Sequence, residues 1–212
     1  PEIREHYEAI RNELKSSGAI EEMAASNSPL TGVWNTNGGF EWEGKDPNMA
    51  VDFPNNTVSY DFGKTVQWKI REGRDFSREF ATDSAAFIIN ESAAKFLGFQ
   101  NPVGKTLKWN GNPFTIIGIV SDIMQESPFY PIRPTLYHTG QYDNMFNLIM
   151  KLSPGQNAKK SLSSVEQVLK KYTPSVPFDY KFVDEEFGSK FRAEERIGKL
   201  SSYFAILAVL IS

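Results

Sequence analysis

The sequence predicts an α+β fold with two lobes, a mixed α/β lobe of split-βαβ type and a β-rich lobe inserted into it, ending in a long stalk helix. Three observations predict it. A helix–strand pattern at the start is answered by a strand–helix–strand pattern near the end. Between them, residues 31–144 read almost entirely as short strands with Gly, Asn and Pro turns. From Asp184 onward, apolar residues recur at helical spacing to the last residue but one. The resulting division is residues 1–30 plus 145–183 for the mixed lobe, 31–144 for the inserted lobe, and 184–212 for the stalk.

The elements follow in order. Ile3, Tyr7, Ile10 and Leu14 make one apolar stripe, so residues 3–17 form an amphipathic helix closed by Gly18. Ala19–Ala25 is a strand weakened by Glu21 and Glu22. Phe40–Glu43 alternates between two glycine turns. Met49–Tyr60 is a strand broken at Pro54-Asn55-Asn56, followed by a short helix at Phe62–Trp68 and a short strand ending at Gly73. Ala85–Ile89 is an apolar strand. Asn90 caps a helix that stops at Gly98. Lys105–Trp109 and Pro113–Asp122 form a hairpin around Asn110-Gly111, a pair that readily takes positive φ. Thr135–Thr139 and Phe146–Leu152 are strands. Ala158–Tyr172 is an amphipathic helix, and Phe178–Val183 a further strand.

Composition narrows the function. The 212 residues are 40% hydrophobic and 23% charged, enough apolar surface for a core. There is no Cys, which excludes a disulfide scaffold, thiolate catalysis and Cys-ligated zinc. A net charge of −3 without a basic run points away from nucleic acid. The chain starts at Pro1, and its charges vanish after Lys199 within the run from Tyr203 to Ile211. A membrane helix needs about 20 apolar residues, so this run is the expected start of one, and the chain is read as a piece of a longer membrane protein.

Chemistry is sparse. His6 and His138 lie in no metal-spacing motif, and neither a P-loop nor a G-x-S-x-G elbow occurs. Asp75, Asp83, Glu91 and Asp122 fall at turns or element ends, where structural roles await them. Asn55-Asn56-Thr57 and Asn90-Glu91-Ser92 match the glycosylation pattern. Trp34, Phe40 and Trp42 in a Gly/Asn-rich stretch, and Phe129 and Tyr130 in a Pro-rich one, are the candidate partner or substrate surface. No residue is singled out as catalytic, metal-binding or cofactor-binding.

One string of motifs is more specific. Gly73-Arg74-Asp75-Phe76, Asp83, Phe87-Ile88-Ile89 into Asn90-Glu91-Ser92-Ala93-Ala94, Asn101-Pro102-Val103-Gly104-Lys105, and Phe114 to Asp122 occur in that order. Together they resemble the periplasmic core domain (MacB-type) of FtsX-like ABC transporter permeases. The resemblance is thin over residues 27–60. It implies a noncatalytic domain between the first two membrane helices of a permease in the bacterial inner membrane, facing the periplasm. It implies a separate cytoplasmic ATPase subunit or domain that this chain does not touch, a permease homodimer or heterodimer, and a periplasmic adaptor or lipoprotein as partner. It implies no cofactor, and a role in carrying ATP-driven motion to substrate export or lipoprotein and peptide extrusion. By the residues alone, Arg74 pairs with Asp83 or Asp122. The rival readings are a ligand-binding sensor ectodomain, which needs one defined pocket, and a membrane-anchored hydrolase, which needs a catalytic cleft.

Overall fold

The computed structural model describes residues 2–126, 130–140, 145–190 and 192. The amphipathic N-terminal segment forms α1 (Glu2–Glu5) and α2 (Tyr7–Ser16), parted at His6. Strands follow as β1 (Ile20–Ser26), β2 (Thr36–Asn37), β3 (Phe40–Trp42) and β4 (Phe53–Val58). Next come α3 (Phe62–Val66), β5 (Ile70–Gly73), a 3₁₀ turn at Ala81–Ala85, β6 (Ala86–Asn90) and α4 (Glu91–Leu97). The chain continues through β7 (Thr106–Trp109), β8 (Asn112–Val120), β9 (Leu136–Thr139), β10 (Asn147–Leu152) and α5 (Ala158–Tyr172). Residues 183–190 are helical.

Helices and a mixed sheet make the fold α+β, as expected. The main path of strands is β10-β1-β4-β9-β6-β8-β7-β3, with β2 on β4 and β5 on β8. Among the described residues only β4–β9 and β6–β8 run parallel. Strand β1 pairs with β10 along its length but meets β4 at a single register position, Ser26 with Val58. Two backbone bonds reinforce that junction, Asn27 N to Thr57 O at 3.0 Å and Ser59 N to Ala25 O at 2.9 Å.

Three apolar clusters stabilise these layers. The first lies between α2, α5 and the β1–β10 pair, with Tyr7, Ile10, Leu14, Met23 and Val165. A second covers one face of the remaining strands under α4, with Phe40, Phe53, Phe87, Leu107, Ile116 and Leu136. The third covers the opposite face under α3, with Phe62, Phe76, Ile88, Val120 and Tyr137. Each fully buried side chain of this size adds about 1.5–3 kcal/mol. Phe87 and Ile88 fall in opposite clusters because successive strand residues face opposite ways.

Local chemistry explains the boundaries. Asn90 accepts from Ala93 N at 2.9 Å and so caps α4, and Gly98 ends it at φ 72°. Asn110 and Gly111 take φ 49° and 81°, as the two-residue hairpin requires. Two expectations need correction. Strand β4 runs through Pro54-Asn55-Asn56 unbroken, because pairing with β9 begins only at Asn55 and Pro54 has no ladder bond to lose there. Residues 178–182 carry no strand pairing. Phe178, Tyr180 and Phe182 contact one another instead, at 5.5 and 5.6 Å between ring centres. Among the described residues no helix is long and apolar enough to cross a membrane. The expected apolar end of the stalk, 193–212, lies outside the described residues.

Candidate functional site: a charged joint and an aromatic cleft

The strongest polar feature is a joint between the N-terminal helix and the loop that follows β5. Arg11 on α2 donates to Glu22 of β1 at 2.7 Å and to Asp61 at 3.1 Å. Lys15, one turn further, donates to the second oxygen of Glu22 at 2.6 Å. Arg78 reaches Asp61 from the other side at 3.0 and 2.7 Å, and Glu8 of α2 at 2.8 Å. Asp61 is thus held between two guanidinium groups from two elements, and its own side chain is nearly inaccessible. Strand β1 tolerates Glu22 because Arg11 and Lys15 compensate it. Burial raises the pKa of Glu22, but the bonds from Arg11, Lys15 and Met23 N outweigh it and hold the carboxyl below its ordinary range.

Beside this joint the loop after β5 is fixed by a second pair. Arg74 grips Asp83 with both nitrogens, at 2.7 and 2.6 Å, and its guanidinium lies 4.1 Å from the centre of the Phe80 ring. The Asp83 side chain is 0% exposed. Ser77 N adds a bond to it at 2.9 Å, and Thr139 donates to its backbone oxygen at 3.0 Å. Burial pushes the Asp83 carboxyl up, while Arg74 and the Ser77 amide pull it further down, so the net shift is downward. Of the two partners open to Arg74 from sequence, the fold selects Asp83. Asp122 instead accepts from Ser92 N at 3.0 Å and Ser92 Oγ at 2.7 Å, on the first turn of α4. Asp75 accepts from Trp68 Nε1 at 3.1 Å, and burial raises its pKa.

Asn90 sits at the centre of another such tie. Its Oδ1 accepts from Ala93 N and Thr135 N, and its Nδ2 donates to Arg133 O at 2.9 Å. Both glycosylation-pattern asparagines, Asn55 and Asn90, are 1% exposed, so neither offers its amide for modification. His138 contacts Thr57 at 3.1 Å among Phe87, Trp109 and Phe114, and burial depresses its pKa. His6 packs on Tyr172. Among the described residues no group of His, Asp and Glu could hold a metal ion.

The candidate surface aromatics part company. Phe40 is 0% exposed, a correction to its reading as surface. It stacks on Trp109 at 5.7 Å and meets Phe53 edge-on, because strand β3 turns it inward onto the second cluster. Trp42 is half-buried against Phe53 and Phe96, with Lys45 over its ring. Trp34 is 63% exposed and Tyr130 70%; Phe129 lies outside the described residues. Tyr130 lines a cleft with Val33, Met124, Pro131 and Ile132, floored by Gln125 and Thr135. Trp34 follows Val33 directly. The interior is ≈ 20 Å³, room for little more than one ordered water. Glu126 and Arg133 share its lining with these apolar residues, so it offers a shallow mixed rim rather than a chamber for a small molecule. Sequence reasoning missed Arg11, Glu22, Asp61 and Arg78, since nothing local joins four charges spread over 68 positions (11 to 78).

Comparison with known proteins places these fixed joints in a known family. Residues 3–168 match the family described as MacB-like periplasmic core domain. A curated relative, the macrolide export ATP-binding/permease protein MacB of Campylobacter fetus, is 33% identical over 113 residues. That stretch is 48% of this chain and 17% of the relative, so the chain spans about a sixth of that protein's length. Three solved structures share the fold at a TM-score of 0.54. The periplasmic region of MacB from Actinobacillus actinomycetemcomitans is 20% identical, with 77% of this chain and 72% of that one covered. The extracellular domain of the noncanonic ABC-type transporter YknZ from Gram-positive bacteria is 17% identical, covering 77% and 82%. A domain of a permease protein from Porphyromonas gingivalis is 16% identical, covering 78% and 69%. The chain belongs to the MacB-like periplasmic core domain family, the periplasmic domains of MacB- and FtsX-like ABC transporter permeases.

Proposed function

We propose that this domain is a noncatalytic mechanical element of its permease. It sits on the periplasmic face of the inner membrane and passes motion driven by a cytoplasmic ATPase to substrate or partner-protein handling. The observation that carries the reading is the charged joint. Helix α2 is tied through Arg11, Asp61 and Arg78 to the loop whose Arg74–Asp83 pair sits against β9. A displacement of the N-terminal helix therefore reaches the sheet through stiff, charge-assisted bonds rather than through slack loop. In this reading residues 1–30 and 145–183 form the lobe nearer the membrane, 31–144 the inserted lobe, and 184–212 the stalk that returns to the bilayer. The permease works as a dimer, and the exposed aromatics Trp34 and Tyr130 meet a periplasmic adaptor or lipoprotein.

The test is a separation of activities in the whole transporter. Arg78→Ala is expected to leave ATP hydrolysis within about twofold of the parent while transport falls about tenfold or more. Transport and hydrolysis falling together, or neither falling, would sink the coupling role.

A further inference from the structure

A polar seam runs through the aromatic layer of the second cluster, beside the junction of β1 and β4. Asn55 and Thr57 of β4 turn to the same side as Phe53, since alternate strand residues share a face, and Phe53 belongs to that cluster. Thr57 stands opposite His138 in the ladder with β9. Asn27, the first residue after β1, reaches over to them. Its N–H donates to Thr57 O at 3.0 Å, and its Nδ2 lies 3.4 Å from Thr57 Oγ1.

The bonds of this seam have one possible sense. Thr139 O can only accept, so His138 Nδ1, 3.1 Å away, carries the proton. His138 Nε2 is then an acceptor, and Thr57 Oγ1 donates to it at 3.1 Å. Burial depresses the His138 pKa and so keeps the ring neutral, as this bond requires. A hydroxyl has one hydrogen, so Asn27 donates to Thr57 through Nδ2, which leaves its Oδ1 turned elsewhere. That Oδ1 has no partner among the described residues, and neither atom of the Asn55 amide has one. Trp109, whose ring centre lies 5.3 Å from that of His138, also keeps its Nε1 buried without a partner. Asn27 is 7% exposed and Asn55 1%. Buried polar groups left unpaired are costly, and native folds pair nearly all of them.

We infer that the seam holds a resident water, bonded to Asn27 Oδ1 and the Asn55 amide, with Trp109 Nε1 as a further donor. The inference stands apart from the transport reading. The chemistry of the four unpaired atoms selects this ligand. Asn27 Oδ1 and Asn55 Oδ1 are acceptors, while Asn55 Nδ2 and Trp109 Nε1 are donors. A cation is repelled by the donors and an anion by the acceptors. Water offers two hydrogens and two lone pairs, and a buried water makes about three such bonds. None of the four atoms bonds another, and a bridging water fills that kind of gap. Phe40, Phe53 and Phe87 around the seam are buried, which denies a larger molecule a path from solvent. Strands β1 and β4 share one register position, so the water lengthens their contact from Asn27 to Asn55 where no ladder bond joins them.

Nuclear magnetic resonance of the chain in water tests this. The Asn55 amide protons are expected to show cross-relaxation with water, of the sign that a long-lived bound water gives. Cross-relaxation of the bulk-water sign, or none, overturns the inference. Oxygen-17 relaxation dispersion is a second measurement. Asn55→Leu removes the amide and keeps the bulk of the side chain, and it is expected to lose the contribution of a long-lived water. Equal dispersion in the parent and the folded variant overturns the inference as well.

Discussion

Two long connections, the one after β5 (residues 74–85) and the one after β8 (121–135), leave the same sheet and behave in opposite ways. The first turns its polar side chains inward. Arg74, Asp75, Ser77 and Asp83 all bond to named partners, and Phe76 is buried in the third cluster. The second ties Asp122 to Ser92 and Thr135 to Asn90 at its ends, but between them leaves Met124 and Tyr130 exposed around the cleft. A loop that consumes its own hydrogen-bonding capacity holds the fold, whereas one that leaves aromatic surface in water is available to a partner. The motif residues quoted from the sequence thus belong mostly to the framework, and the proposed recognition surface falls on residues that no motif marks.

Substitutions in the two loops sharpen the contrast. Arg74→Met is expected to have the largest effect, a loss of about 3 kcal/mol in urea unfolding, because it strands a buried carboxylate. Gly118→Ala comes next, at about 1–3 kcal/mol by the same measurement. A Cβ there falls inside contact distance of Arg74 O, backbone that is already bonded to the strand opposite. Acid titration should show the first loop from another side. The Asp83 and Glu22 carboxyls have lowered pKa values in the fold, so their stabilisation is complete above the unfolded carboxylate range near ~4. It is lost as pH falls through the lower folded values. Asp75 acts with the opposite sign, since its raised pKa favours the protonated form in the fold. Asp83→Asn should therefore flatten the acid limb of a stability–pH curve, and an unchanged limb would show that Asp83 contributes little to it. At the cleft, Tyr130→Ala in the second loop and Trp34→Ala beside Val33 should change stability by only about 0.5 kcal/mol or less, while weakening capture of a periplasmic partner by the whole permease. A loss of stability on the scale of Arg74→Met would erase the distinction between the loops.

Much of this was legible in the sequence, for reasons that can be named. The helix Ala158–Tyr172 and the Asn110-Gly111 hairpin are set by local periodicity and local turn geometry, and both formed at the expected positions. Asn90 was readable as a cap because the amide that donates to it, Ala93 N, lies only three residues away. Strand β4 was harder, since whether a proline breaks a strand depends on which neighbour needs its amide. Phe40 misled because alternation shows that a strand has two faces but not which one the core takes. The charged joint was invisible for a different reason. Asp61 becomes a meeting point only when α2 and the loop after β5 fold onto it from opposite sides, a contact order no window of sequence contains.

The single register position shared by β1 and β4 has a consequence for how such a chain can change over generations. Ser26, where the excursion into the larger set of strands departs, lies opposite Asn147, where it returns. Facing residues in a ladder stand about 5 Å apart, a gap that a short turn spans. The interval from 27 to 146 thus leaves from and returns to one point of a smaller host, to which Arg11–Asp61, Arg78–Glu8 and the Tyr7 hydroxyl on Ser59 also hold it. Deleting residues 27–146 and closing the gap with a tight turn should leave α2, β1, β10 and α5 able to bury their shared apolar cluster.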